Sequence, residues 1–134
     1  MKKILIIITG MLILGKYVCG QYSLQVEITG LKNNSGVILF QLFNENEKIV
    51  TQVKGEIKDL KSSIIINDLK PGKYGFRYFH DENMSDKLET NVLGIPKEGY
   101  GFSNDAVGPF GPKPFREWLF ELNQNKNLSV KTRY

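Results

Sequence analysis

Tyr74, Phe76, Tyr78 and His80 occupy alternating positions directly after Leu69-Lys70-Pro71-Gly72, and this run constrains the fold more than any other part of the chain. Bulky side chains two residues apart share a face only in an extended strand, because a helix turns each residue by about 100° and scatters them. Lys73, Gly75, Arg77, Phe79 and Asp81 then belong to the opposite face. Pro71-Gly72 suits a type II turn, with Pro fixing φ and Gly taking positive φ, so a hairpin is expected to feed this strand.

The same period recurs along the chain. Leu24, Val26 and Ile28 alternate with Gln25, Glu27 and Thr29, as in a half-buried strand. Lys32 to Gly36 reads as a turn, since Asn and Gly tolerate positive φ. Val37 to Phe43 is apolar on both faces except at Gln41, which predicts a central strand covered on both sides. Ile49 to Ile57 reads as an edge strand, and Ile64 to Ile66 as the next. Trp118, Phe120 and Leu122 alternate again, and Leu128, Val130, Thr132 and Tyr134 form a closing strand. No segment sustains a helical period. These signals predict an all-β chain: a single antiparallel β-sandwich of about seven strands, transthyretin-like or immunoglobulin-like, with one long ordered loop. Tyr74, Phe76, Trp118 and Phe120 are expected in its core.

The N-terminus reads as a targeting segment. Met1-Lys2-Lys3 is a basic start, Ile4 to Leu14 is apolar apart from Thr9 and Gly10, and Val18-Cys19-Gly20 precedes Gln21. This predicts a cleaved signal peptide over 1–20 and a sandwich domain over 21–134. The run is shorter than the roughly 20 apolar residues that cross a bilayer. Lys16 and Val18 stand where a lipidation motif places leucine and a small residue, so Cys19 fits lipid attachment poorly. The full chain has 18 basic and 14 acidic residues, a net charge of +4. Removing Lys2, Lys3 and Lys16 leaves 15 against 14, or +1. A near-neutral domain offers no electrostatic basis for nucleic-acid or anionic-membrane binding. The single cysteine leaves with the signal, and one histidine remains. Disulfides, thiol chemistry and cysteine zinc sites are excluded, and stability must come from the core.

Residues 81 to 115 show no clear strand period, yet Leu93, Ile95, Tyr100, Phe102, Phe110 and Phe115 argue for an ordered loop. Long ordered loops in compact domains are often functional. Pro109, Pro112 and Pro114 help to fix its path. His80-Asp81-Glu82-Asn83, Leu88, Thr90-Asn91 and the run Leu93-Gly94-Ile95-Pro96-Lys97-Glu98-Gly99-Tyr100-Gly101-Phe102-Ser103-Asn104 together resemble the core signature of a bacterial secreted family, domain of unknown function 2141. The resemblance covers nearly everything after residue 20 and implies export; it names no reaction. More narrowly, the Leu69-x-Pro71-Gly72-x-Tyr74 segment resembles transthyretin-like and carboxypeptidase-regulatory-like sandwich domains.

Asp81, Asn83, Ser85 and Glu89 fall at positions 1, 3, 5 and 9 of a calcium-loop count, where alternating hard oxygens suit Ca²⁺. The family resemblance implies D-x-N-x-[ND]-G-x-L-D at this place. Here Asp86 stands in for the glycine and Val92 for the terminal glutamate, so Asn91, Glu98 or backbone carbonyls would have to complete a site. The alternative is a polar turn whose side chains cap their own backbone. His80 is either tied to a carbonyl or carboxylate, or a general acid or base oriented by Asp81 or Glu82. Ser103 is a conceivable nucleophile without the G-x-S-x-G elbow, and Glu98 a conceivable acidic partner. Paired carboxylates among Asp81, Glu82, Asp86, Glu89 and Glu98 would also suit glycoside hydrolysis. Tyr100, Phe102 and Phe110, with His80 and Asn104, could contact a sugar or an apolar ligand, or simply pack the loop. Asn33, Asn83 and Asn127 sit in Asn-x-Ser sequons that carry no weight in a bacterial chain.

The reading favoured is an exported, periplasmic or extracellular, non-enzymatic binding module. Its 80–115 loop contacts a small molecule, glycan or envelope protein. A small hydrolase using His80 with an acidic partner and a purely structural envelope domain are the alternatives.

Overall fold

The computed structural model describes residues 20–134. The expected signal segment, apart from Gly20, and the question of Cys19 lie outside the described residues. Ten strands follow one another: β1 Tyr22–Thr29, β2 Val37–Asn44, β3 Ile49–Gly55, β4 Ser62–Leu69, β5 Gly72–Asp81, β6 Tyr100–Phe102, β7 Val107–Gly108, β8 Gly111–Pro112, β9 Phe120–Leu122 and β10 Lys126–Lys131. Two single-turn 3₁₀ segments, Ser103–Asp105 and Phe115–Glu117, flank β7 and β8. Among the described residues there is no α-helix, and none long and apolar enough to cross a membrane.

The strands form a three-stranded sheet, β10-β1-β4, and a five-stranded sheet, β3-β2-β5 with β6 and β9 both paired to β5. β7 and β8 make a separate two-stranded hairpin. Leu24, Val26, Ile28, Ile64 and Val130 from the first sheet and Ile38, Phe40, Leu42, Tyr74, Phe76 and Tyr78 from the second belong to one hydrophobic cluster. Phe76 sits at its centre, fully buried, with ring centroids 4.9 Å from Phe40 and 6.1 Å from Phe120. The period-two pattern of β5 therefore points its aromatics inward as the sequence implies. β2 is central and β3 lies at the edge, as expected, but β2 is not covered on both sides: Val37, Leu39 and Gln41 on its outer face are only half-buried, because no second layer packs over them.

Four further details differ from expectation. The described residues form ten strands in three sheets rather than about seven, because the long loop and its continuation contribute short pairings too brief for a periodic signal. β10 runs parallel to β1, from Leu24 against Lys126 to Thr29 against Lys131. The two partners lie at opposite ends of the chain, so no turn between them dictates direction. β4 and β5 lie in different sheets, so Lys70-Pro71 is an arch and no hairpin. Gly72 is absent from the positive-φ residues, whereas Asp68, at φ 59°, lies inside β4 where its register with β1 shifts at a bulge. The Tyr74 hydroxyl closes the arch by donating to the Lys70 carbonyl at 2.6 Å, the geometry of a tyrosine corner. Finally, Trp118 is buried in a second cluster, with Phe43, Phe102 and Ala106, and not in the main one.

Truncating a buried Phe to Ala typically costs about 3–5 kcal/mol through lost transfer energy and the cavity left behind. Urea unfolding should show that loss for Phe76→Ala. Phe110, fully exposed at the β7–β8 tip, should tolerate Ala within about 0.5 kcal/mol. An unchanged midpoint for Phe76→Ala would contradict the inward assignment of β5.

Candidate functional site

The outer face of the five-stranded sheet is only partly covered. At one end the second aromatic cluster closes over it, with Trp118 4.6 Å from Phe102 and 5.2 Å from Phe115 between ring centroids. Beside that lid lies an open groove of about 730 Å³, a size usual for small-molecule sites. Strand register builds its floor in two rows. Lys54, Leu39, Phe79 and Tyr100 lie opposite one another across β3, β2, β5 and β6. Gln52, Gln41, Arg77 and Phe102 form the second row. Asp86 and Leu88, from the loop after β5, line the groove as well.

The polar groups of the groove are few and placed. Arg77 Nε donates to Gln41 Oε1 at 2.7 Å, and its guanidinium lies 5.3 Å from the Phe43 ring centroid. Neither partner neutralises the charge, and Arg77 has no ion pair among the described residues. Lys54 Nζ meets Asp86 Oδ1 at 3.1 Å, with both side chains more than half exposed. Such a pair contributes little, about 0–1 kcal/mol, but it ties β3 to the loop across the groove.

Several residues singled out in the sequence hold the scaffold. His80 is fully buried. Its Nε2 lies 2.6 Å from the Ser35 carbonyl, which can only accept, so Nε2 carries the proton. Nδ1 is hydrogen-bonded to the Tyr134 hydroxyl at 2.8 Å, and that hydroxyl accepts the Lys32 amide at 2.9 Å. His80 thus binds the Asn33–Gly36 turn and Tyr134 to β5; Glu82 Oε1 stands 3.7 Å from Nδ1. Gly36 is required there, at φ 69°, because a Cβ would fall 1.9 Å from the Asp81 carbonyl oxygen.

Ser103 is also fully buried. It lies at a gap on one edge of β5, between β6, which pairs with Arg77 to Phe79, and β9, which pairs with Gly72 to Tyr74; the other edge pairs with β2 from Tyr74 to Asp81. Its hydroxyl accepts the Phe76 amide at 2.9 Å and donates to the Trp118 carbonyl at 2.6 Å. The hydroxyl replaces a missing ladder bond and faces no cleft. Asn104, in a left-handed conformation at φ 58°, donates its amide to the carbonyls of Glu117 and Leu119 at 3.1 and 2.9 Å. Gly101 gives the Tyr78 ring its space, since a Cβ there would lie 2.4 Å from the phenol oxygen.

Within the loop, Asp81 is buried and accepts the amides of Ser85 at 3.0 Å and Asp86 at 2.9 Å. Met84 and Asp86 take left-handed φ values of 55° and 61°, so Asp86 fills the conformation for which glycine is usual. Asn83 donates to Glu89. Asn91 caps a turn of its own by accepting the Leu93 and Ile95 amides at 2.9 and 3.0 Å. Glu98 is buried, and its Oε2 has no hydrogen-bond partner. Burial raises its carboxyl above the usual carboxylate range. The Glu89 amide opposes that rise, and the carboxylates of Asp81, Glu89 and Glu82 add to it.

Of the residues expected to contact a ligand, Tyr100 and Phe102 line the groove. His80 and Asn104 serve the scaffold, and Phe110 stands apart at a hairpin tip. Sequence reasoning missed Leu39, Gln41, Arg77 and Phe79 as groove residues. The signal was present: the second face of β2 is apolar around Gln41, and the second face of β5 carries Arg77 and Phe79.

A family model described as an uncharacterized protein conserved in bacteria, DUF2141, matches residues 26–131. No curated protein and no solved structure matches the chain.

The raised Glu98 carboxyl predicts a pH dependence. A group that binds protons more tightly in the folded state stabilises it at low pH, and that contribution is lost as pH rises through the folded pKa. In chelator, therefore, wild-type stability relative to Glu98→Gln should increase as pH falls from neutral toward the ordinary value of 4.5. Thermal melts of both proteins across that range check the sign. A relative stability that falls on acidification would contradict a buried, repelled carboxyl.

Proposed function

The chain belongs to the bacterial family DUF2141, and from that premise we propose that it is an exported, non-enzymatic binding module of the periplasm or cell exterior. Its two sheets are read as a β-sandwich-type scaffold. Its ligand is an amphiphile with an apolar body and a single anionic group. The observation that carries this reading is Arg77, a guanidinium without an ion-pair partner, set among Leu39, Phe79, Tyr100 and Phe102 in a groove of about 730 Å³. Apolar walls with a few placed polar groups are the usual design of small-molecule sites. Arginine recognises carboxylate, phosphate or sulfonate through its planar array of donors. The body of the ligand would lie on the Leu39–Phe79–Tyr100 row, and its head would reach Arg77 beside Gln41.

Binding is favoured over turnover by the placement of the reactive groups. Both His80 nitrogens are engaged inside the protein, and the Ser103 hydroxyl bridges backbone groups. Export rests on the basic start, the apolar run and the Gly20-Gln21 junction.

The test is amide chemical-shift mapping with dodecanoate and with dodecanol as the uncharged control. Dodecanoate should shift the amides of Leu39, Arg77 and Phe79. Arg77→Gln should weaken it by about ten- to a hundredfold, the loss of roughly 1.5–3 kcal/mol of charge-assisted hydrogen bonding, and should change dodecanol binding little. Shifts that map elsewhere, or an unchanged dodecanoate affinity in the variant, would contradict the groove as the site.

A further inference from the structure

The loop after β5 ends in a tip built unlike its base. Val92 is fully exposed, Leu93 is 80% exposed and Ile95 56%. With Met84 and Leu88 they put five exposed large apolar side chains on the segment 84–95. Turn residues are usually polar, with Asn, Asp and Ser bonding their own backbone. Here one residue does that polar work for its apolar neighbours. The Asn91 side-chain oxygen accepts the Leu93 and Ile95 amides at 2.9 and 3.0 Å. The Asn91 amide donates to the Ile95 carbonyl at 2.9 Å, and the Gly94 amide to the Asn91 carbonyl at 3.0 Å. Gly94 permits the turn at φ 78°. Beneath it, Thr90 bridges to Pro96, and the Lys97 amide donates to the Glu89 carbonyl at 2.8 Å. The amides of Asn91, Leu93, Gly94 and Ile95 are thus satisfied within the turn, and Pro96 has none to satisfy.

We propose that this tip docks the protein on a phospholipid bilayer, with Val92, Leu93 and Ile95 entering the layer between headgroups and acyl chains. Backbone groups that leave water need partners, and the turn already supplies them for its amides. At this shallow depth water still reaches the remaining carbonyls. The closed turn presents its side chains without reordering, so little conformational entropy is lost on docking. The charges fit the same partner. Asp86 pairs with Lys54, Glu89 accepts from Asn83, and Glu98 is buried. Lys87 and Lys97 flank the tip, both exposed and without an ion pair among the described residues. Lysine stems can lie along apolar surface while their ammonium groups reach lipid phosphates. The near-neutral domain exerts no long-range pull, so the apolar tip carries the binding and the two lysines add a local preference for anionic lipid. A second copy of the chain fits less well, since a stable protein interface buries about 800 Å² on each partner, more than a five-residue turn offers.

The tip is separate from the groove, and failure of either leaves the other standing. They share one segment: Asp86 and Leu88, which line the groove, lie on the loop that carries the tip. Docking would hold that wall of the groove at a surface in which amphiphiles are concentrated.

Vesicle flotation is the test, using the chain from Gln21 onward, which holds every strand and both hydrophobic clusters. Vesicles of phosphatidylethanolamine with phosphatidylglycerol are compared with vesicles of phosphatidylcholine. The protein should float with both and more strongly with the anionic mixture. Leu93→Asp should weaken binding by about tenfold or more, since a charge replaces an inserted apolar group. Its Tm should be unchanged, because an exposed side chain away from the core contributes little to stability. Phe110→Ala, at the exposed β7–β8 tip, should float as the wild type does. Lys87→Gln combined with Lys97→Gln should remove the preference for the anionic mixture. Absence of flotation, wild-type flotation of Leu93→Asp, an equal loss in Phe110→Ala, or an anionic preference that survives the loss of both lysines would each overturn the proposal. So would flotation lost in Arg77→Gln and kept in Leu93→Asp, which would assign the lipid to the groove. Lipid-free self-association abolished by Leu93→Asp would assign the tip to a second copy and overturn it as well.

Discussion

The backbone of β5 is the member on which the rest of the structure depends. One edge pairs with β2 from Gly75 to His80 and beyond; the other is shared by two short strands that leave a gap at Phe76. An amide left open at the centre of a buried sheet costs about 1–3 kcal/mol, and Phe76 also carries the centre of the core. Ser103 fills the gap with a side-chain oxygen and, through Trp118, joins the strand to the second aromatic cluster. Asn104 then holds the chain on both sides of Trp118 by binding the carbonyls of Glu117 and Leu119. Consecutive residues thus secure the inner core, the sheet edge and the outer lid together.

That arrangement explains how a small sheet has two working faces. The inward residues of β5 end in His80, which fastens the Ser35 turn and Tyr134. The outward residues Arg77 and Phe79 stay accessible because the aromatic lid ends beside them. The loop after Asp81 returns along the groove and is tied at both ends, by the Asp81 caps and by the Gly99 carbonyl. Its polar tip therefore has a defined place, which is what a ligand-binding wall requires.

Local periodicity made the main strands legible. The alternations at Leu24 to Ile28 and Tyr74 to His80, and the two-faced apolar run of β2, all correspond to observed strands. The turn at Gly36 was legible for the same reason, since positive φ is a property of one residue. The parts that escaped depend on partners distant in sequence. The parallel register of β10 on β1, the pairing of a three-residue β6 and the burial of Glu98 arise only once the chain has returned. The side chains of the Gly99 to Asn104 run looked equally suited to contacting a ligand or packing a loop. Their division became visible only with the gap in β5, which assigns Ser103 and Asn104 to the scaffold and leaves Tyr100 and Phe102 facing the groove.

Residue-resolved hydrogen exchange on wild type and Ser103→Ala tests the claim about β5 most directly. The Phe76 amide should be among the slowest to exchange in the wild type. In the variant it should exchange about five- to a hundredfold faster, from the roughly 1–3 kcal/mol lost with the bond. The amides of β2 that pair with β5 on its other edge should change much less. If Phe76 stays as protected in Ser103→Ala as in the wild type, another group satisfies that amide, and the role given to Ser103 is contradicted.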